Sequence, residues 1–303
     1  MAERFKCTEC GRTFKTKGGL RQHTNDKHPN KKIQATERRR ARSKFKLTKN
    51  WMILVSIVSI IVIAGSLIVF LGNPFNLAEV GQPVPENFYF NMTSLGDSTL
   101  NSIGQGTSEK LTPALSGDIL MADGKPLAIY IGAEYCPYCA AERWSLILAL
   151  SKFGNFSGLI FMLSSPSEGP QLSNIPTFSF VNSNFTSPYI SFQSVEIQDR
   201  FGRKLQTMTS QQASIFSNFN LPGNIPFVDV GNQYTLVGAQ YNPTILSSLT
   251  WNQIAEQMKD PNSTVAKGID GSSNILVSAI CRITNQTPST VCNQSYAKLN
   301  PVQ

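Results

Sequence analysis

The chain has 303 residues and a formal net charge of +8, with 15% charged residues, six cysteines and two histidines. Residues 1–50 hold 16 Lys+Arg against 4 Asp+Glu, a net of +12, whereas the other 253 residues hold 11 bases and 15 acids, a net of −4. Both histidines, His23 and His28, lie in that basic head, which excludes Ser-His-Asp or Cys-His catalysis and histidine-ligated metal for everything after residue 28.

The head opens with Phe5, Cys7, Cys10, Phe14, Leu20, His23 and His28. Two thiolates from a tight hairpin and two imidazoles from a helix suit a tetrahedral zinc ion, and the 12 residues between Cys10 and His23 let the hairpin fold back on the helix. All seven positions resemble the two-cysteine, two-histidine zinc finger. That resemblance implies a small ββα domain over residues 1–30, with zinc on Cys7, Cys10, His23 and His28. The positions that read bases in DNA-binding fingers fall on Thr16, Gly19 and Gln22, and Gly19 has no side chain. Sequence-specific nucleic-acid binding is therefore not expected, and the finger is read as a docking module for an unknown cytosolic partner.

Residues 31–50 form a basic juxtamembrane segment. Trp51–Leu71 follows with no charged residue, and as a helix its 21 residues span about 31 Å, near the ~30 Å of a hydrocarbon core. The expectation is a single transmembrane helix over 51–71. Seven bases precede it between Arg38 and Lys49, and none follows before Lys110. Positive flanks stay inside, so the expected placement is single-pass in the cell membrane, with the N-terminus cytosolic and the C-terminal domain extracytoplasmic. Residues 72–110, with their Pro, Gly, Asn and Ser, read as a stalk.

Pro126–Ala133 is an apolar run suited to a buried strand, and Cys136-Pro137-Tyr138-Cys139 follows at once. The next stretch, AAERWSLILALSKFG, reads as a helix, and Leu159–Leu163 as a second strand. Strands are also expected near Thr177–Val181, Tyr189–Ile197 and Gln233–Val237, with helices at Gln211–Phe219 and Trp251–Lys259. Between them Ile225-Pro226-Phe227 enters another strand.

A CxxC opening a helix after a strand, followed by an Ile-Pro entering a later one, resembles the thioredoxin superfamily over residues 111–260. CPYC itself is similar to the glutaredoxin site. The whole layout resembles an uncharacterised archaeal family of membrane-anchored thioredoxin-like proteins. The resemblance implies an α/β thioredoxin-like outer domain acting as a thiol–disulfide oxidoreductase on exported protein thiols, with no organic cofactor. Cys136 would be the nucleophile, Cys139 the resolving thiol and Pro226 their neighbour, with Ile225 and Tyr138 at the substrate. Tyr130 stands where many thioredoxins keep a buried Asp. A non-catalytic membrane adaptor with a structural CxxC stays open as the alternative. Residues 261–303 read as a C-terminal helical extension in which Cys281 and Cys292 pair as a structural disulfide, a zinc site shared with Cys136 and Cys139 being the other arrangement.

Overall fold

The computed structural model describes residues 4–29, 77–114 and 117–302, and the chain divides into two compact units, residues 1–64 and 65–303. In the first, strands β1 (Phe5–Lys6) and β2 (Thr13–Phe14) pair antiparallel, Phe5 opposite Phe14. Helix α1 (Lys17–Lys27) starts at Thr16, whose hydroxyl accepts the Gly19 N–H at 3.1 Å and so satisfies a free first-turn donor. No residue of α1 is buried, so apolar burial contributes little to this unit.

The second unit is a mixed α/β structure. Its sheet has the order β10 (Ser191–Glu196), β5 (Lys125–Gly132), β11 (Phe227–Val230), β12 (Tyr234–Val237), β3 (Thr112–Pro113). A short strand β4 (Met121–Ala122) pairs the start of β5. Strands β5 and β10 run parallel, with Gly132 opposite Glu196, and β11 and β12 run antiparallel to their neighbours. Residues of β5 alternate between two apolar clusters. Leu127, Ile129 and Ile131 pack with Ile215 of helix α5 (Ser210–Phe219), while Ala128 and Tyr130 join the larger cluster on the other face. Burial on both faces is why this strand reads as a continuous apolar run.

The larger cluster is built around helix α4 (Pro137–Ser151), on which every residue from Cys139 to Leu150 is buried. Helix α7 (Thr264–Ile283) contributes Val265, Ile269, Ile275, Leu276 and Ile280 to the same cluster. Antiparallel ribbons β6 (Asn155–Ser157) with β9 (Asn184–Thr186), and β7 (Ile160–Leu163) with β8 (Pro176–Ser179), lie between α4 and β10 in sequence. The expected helix at 251–259 is α6 (Trp251–Gln257).

Three expectations need correction. Among the described residues the fold class is mixed α/β with a cysteine–histidine cluster at the N-terminus, and no transmembrane helix is part of it. Among the described residues no helix is long and apolar enough to cross a membrane. Their longest, α7, carries Lys267, Asp270, Asn274 and Arg282 and is packed inside the second unit. The expected span 51–71 and the basic segment 31–50 lie outside the described residues. A single-pass membrane placement, with its cytosolic and extracytoplasmic sides, is accordingly not supported.

The expected stalk, 72–110, is folded from residue 77 onward. Helices α2 (Glu86–Thr93) and α3 (Asp97–Ile103) bury Phe88, Met92 and Leu100. Phe88 and Met92, four apart, form one apolar face that the abundance of Asn, Ser and Gly around them masked. Residues 261–303 hold α7, which is a wall of the main core. Cys281 on α7 is disulfide-bonded to Cys292 on the short helix α8 (Ser289–Cys292), with Cα atoms 5.6 Å apart. Closing so short a loop is worth on the order of 3 kcal/mol through the unfolded state.

Burial leaves several acids on this core. Glu142 of α4 is fully buried; the Gln240 N–H donates to its Oε2 at 3.1 Å, and Oε1 has no hydrogen-bond partner among the described residues. Burial pushes its pKa from 4.5 up to about 8, against the Gln240 hydrogen bond. The folded protein thus holds a proton that the unfolded chain releases, so this contribution is complete below pH ~4.5 and is lost as pH rises to about 8. Urea unfolding should show stability falling between pH 5 and pH 8, and Glu142→Gln should flatten that fall by on the order of a few kcal/mol. Asp229, pushed to about 6, and Asp270, raised by burial, keep part of the slope. An unchanged slope in Glu142→Gln would show that Glu142 is ionised in the fold.

Candidate functional site

Strand β5 ends at Gly132, and after three intervening residues Cys136 caps helix α4. Its backbone is extended, and its Sγ accepts the Cys139 N–H at 3.2 Å. Pro137 occupies the first helical position, where no N–H is needed. Cys136 is 5% exposed, while Cys139, one turn in, is fully buried; both are free thiols.

The two sulfurs differ in acidity. The neighbouring Cys139 thiol and N–H, with the charge of Arg143, hold the Cys136 pKa below its ordinary value despite burial. Burial, together with the neighbouring Cys136 sulfur, pushes the Cys139 thiol well up. A thiolate at a helix N-terminus is also favoured by the unpaired backbone N–H groups and the helix dipole.

Opposite Cys136 lies the entry to β11. The Ile225–Pro226 peptide is cis, Pro226 is buried, and the Ile225 carbonyl accepts from the Cys136 thiol at 3.7 Å. A cleft of about 510 Å³ opens there, lined by Tyr135, Cys136, Tyr138, Glu168, Ile225 and Val237 among others. Tyr138 is 45% exposed at its rim. Cys136, Tyr138 and Ile225 thus meet at one cleft, with Cys139 behind them. Cys281 and Cys292 are spent on their own disulfide, which removes a zinc site shared with the CxxC.

Glu134 precedes the cysteines but turns inward. Ser179 donates to its Oε1 at 2.6 Å, and burial raises its pKa. Two residues beneath the site went unread in the sequence, Arg143 on α4 and Glu196 on β10. Both side chains are fully buried and pair bidentately, Nε to Oε1 at 2.8 Å and Nη2 to Oε2 at 2.7 Å, and Nη2 also donates to the Ala133 carbonyl at 2.8 Å. The available signal was two adjacent charges, Glu142 and Arg143, inside a mostly apolar helix, which demand internal partners.

In the first unit, the ligand atoms of Cys7, Cys10, His23 and His28 all lie within 4.8 Å of one another, with Cys10 Sγ 3.1 Å from His23 Nε2. These four residues could hold a metal ion. His28 is the C-cap of α1 and not a residue of its helical face. Backbone N–H groups of Cys10 and Glu9 hold the Cys7 thiol below its ordinary pKa.

Alkylation of the reduced full chain by iodoacetamide, followed by peptide mapping, should modify Cys136 with a pH midpoint below that of an ordinary cysteine. Cys139 should react only on unfolding. Equal rates at the two thiols would contradict the asymmetry.

A family model described as a domain of unknown function (DUF929) matches residues 114–215 and 203–282, more than half of the chain, and the chain belongs to that family. The matched region holds the CxxC, Pro226 and most of α7, and excludes the cysteine–histidine cluster. No curated protein and no solved structure matches the chain.

Proposed function

We propose that this member of the DUF929 family is a thiol–disulfide oxidoreductase that exchanges disulfides with cysteines of partner proteins. The observation that carries the reading is the placement of one thiol at the N-terminus of α4, against a cleft, with a second, fully buried thiol one helical turn behind it. The sheet order β10-β5-β11-β12, with the cysteines after β5 and Pro226 entering β11, supports the resemblance to the thioredoxin superfamily.

In the reducing direction the Cys136 thiolate attacks one sulfur of a substrate disulfide. A Cys136–substrate bond forms and the other substrate sulfur leaves as a thiolate. Cys139 then gives up its proton and attacks Cys136 Sγ, releasing the second substrate thiolate and leaving a Cys136–Cys139 disulfide. Two electrons pass from the pair to the substrate, and oxidation of a substrate dithiol is the same path reversed. The Ile225 backbone would pair with an extended substrate segment as a short added strand, and Tyr138 would pack against it.

Expressed in cells, Cys139→Ala should accumulate covalent complexes with other proteins that dissolve on reduction, and Cys136→Ala should accumulate none. Equal trapping by both variants, or by neither, favours the adaptor reading, in which the CxxC is structural.

The metal proposed for the first unit is zinc, since two thiolates and two imidazoles within 4.8 Å suit a closed tetrahedral site. Bound there, zinc would supply the folding free energy that apolar burial does not. Thr16 spends its hydroxyl on the Gly19 N–H and Gly19 has no side chain, which supports docking to a protein partner over base reading. Purified full chain should carry one zinc, and Cys10→Ser should lose it while Cys139→Ala keeps it. Unchanged metal content in Cys10→Ser would sink the assignment.

A further inference from the structure

We propose that Arg143 is a positioning residue for the exchange reaction: its guanidinium, buried beneath the CxxC turn, holds that turn in place and supplies a fixed positive charge that favours the thiolate of Cys136. This rests on the exchange reading above. Arg143 lies one turn beyond Cys139 on α4, and its side chain is fully buried. Burying a guanidinium is expensive, and an apolar residue of similar volume would serve a purely structural core position as well or better.

The placement distinguishes this pair from a generic core ion pair. Glu196 stands opposite Gly132 in the parallel register, the last residue of β5 before the cysteine turn. Arg143 spans from that carboxylate to the carbonyl of Ala133, three residues before Cys136. Its Nη1 has no hydrogen-bond partner among the described residues. The guanidinium also lies 5.6 Å from the centre of the Tyr130 ring.

The other titratable groups facing this point are Tyr130 from β5, Glu134 from the turn, Glu196 from β10 and Cys139 from α4. Tyr130, fully buried, is kept neutral by a pKa raised well above its ordinary value, and Glu134 is raised by burial. Glu196 is ion-paired with the guanidinium itself. The charge of Arg143 lowers the pKa of both cysteines. Where a carboxylate at position 130 could have accepted the Cys139 proton, this site offers a fixed cation.

The test uses the full chain and follows the pH midpoint of Cys136 alkylation, together with the Cys136–Cys139 reduction potential against a dithiol buffer. Arg143→Met should raise the midpoint by about one unit or more, read as roughly tenfold slower alkylation at pH 7 that recovers at higher pH. Its potential should become more reducing, since the thiolate-bearing form is no longer favoured. Arg143→Lys, which keeps the charge but loses the fork, should retain most of the midpoint. Glu196→Gln should lower it. A folded Arg143→Met with an unchanged midpoint overturns the proposal. If Arg143→Met fails to fold, the other two variants decide, and Glu196→Gln at the wild-type midpoint overturns it. Failure of the exchange reading is separable, because the wild-type Cys136 would then show no lowered midpoint and no measurable exchange.

Discussion

Helix α4 is enclosed along almost its whole length, and that enclosure organises the second unit. A helix so enclosed has to find partners inside the protein for most of the polar groups it carries. Trp144 donates its indole N–H to the Pro176 carbonyl at 2.8 Å, and Ser145 its hydroxyl to the Ile269 carbonyl at 3.2 Å. Thr177 and Tyr241 reach in from outside to the carbonyls of Ala140 and Ala141, at 2.8 and 2.7 Å. These directional bonds, from β8, α7 and the chain after β12, fix the rotation of α4 about its axis. They therefore set where the sulfur at its N-terminus points, and the cleft around Cys136 inherits its geometry from the core.

The two units of the chain solve the stability problem differently. The second clothes both faces of its sheet with helices and closes its C-terminal end with a disulfide. The first has a two-strand hairpin, an eleven-residue helix without buried residues and a cluster of four ligands. Were those four residues to hold a metal, its removal would be an unfolding event there and not a loss of activity alone.

Local signals in the sequence were strong where chemistry and punctuation coincide. The strand before the cysteines, the helix they open, the Ile-Pro entry to β11 and the Cys281–Cys292 pair were each legible from a short run. So was the cysteine–histidine cluster that could hold a metal, because both histidines of the chain stand at ligand spacing. The helices at 86–103 were not, since their apolar residues are few and the polar ones around them suggest loop; Phe88 is buried against Phe161 of β7 and Phe178 of β8, far away in sequence. The role of α7 was hidden similarly. Of its 20 residues 17 are buried, Gly, Ser, Asp and Asn among them, and Ser272 and Asn274 find partners on Ser108 and on the Leu100 and Gly104 carbonyls. Arg143 and Glu196 show the same limit: each is an ordinary charged residue until the parallel pairing of β5 and β10 places them together.

Gly132 carries a consequence for how this site can change over time. A Cβ at that position would fall on the hydroxyl of Tyr130, whose ring is fully buried and has nowhere to swing. Residues 130 and 132 point to the same face of β5 and share one small volume. A side chain can enter at 132 only if the residue at 130 first shortens, and an aromatic phenol can persist at 130 only beside glycine. The two positions form a lock with an obligatory order of opening: a lineage replacing Tyr130 by a small acid gains freedom at 132, whereas one mutating Gly132 first passes through a distorted cysteine turn.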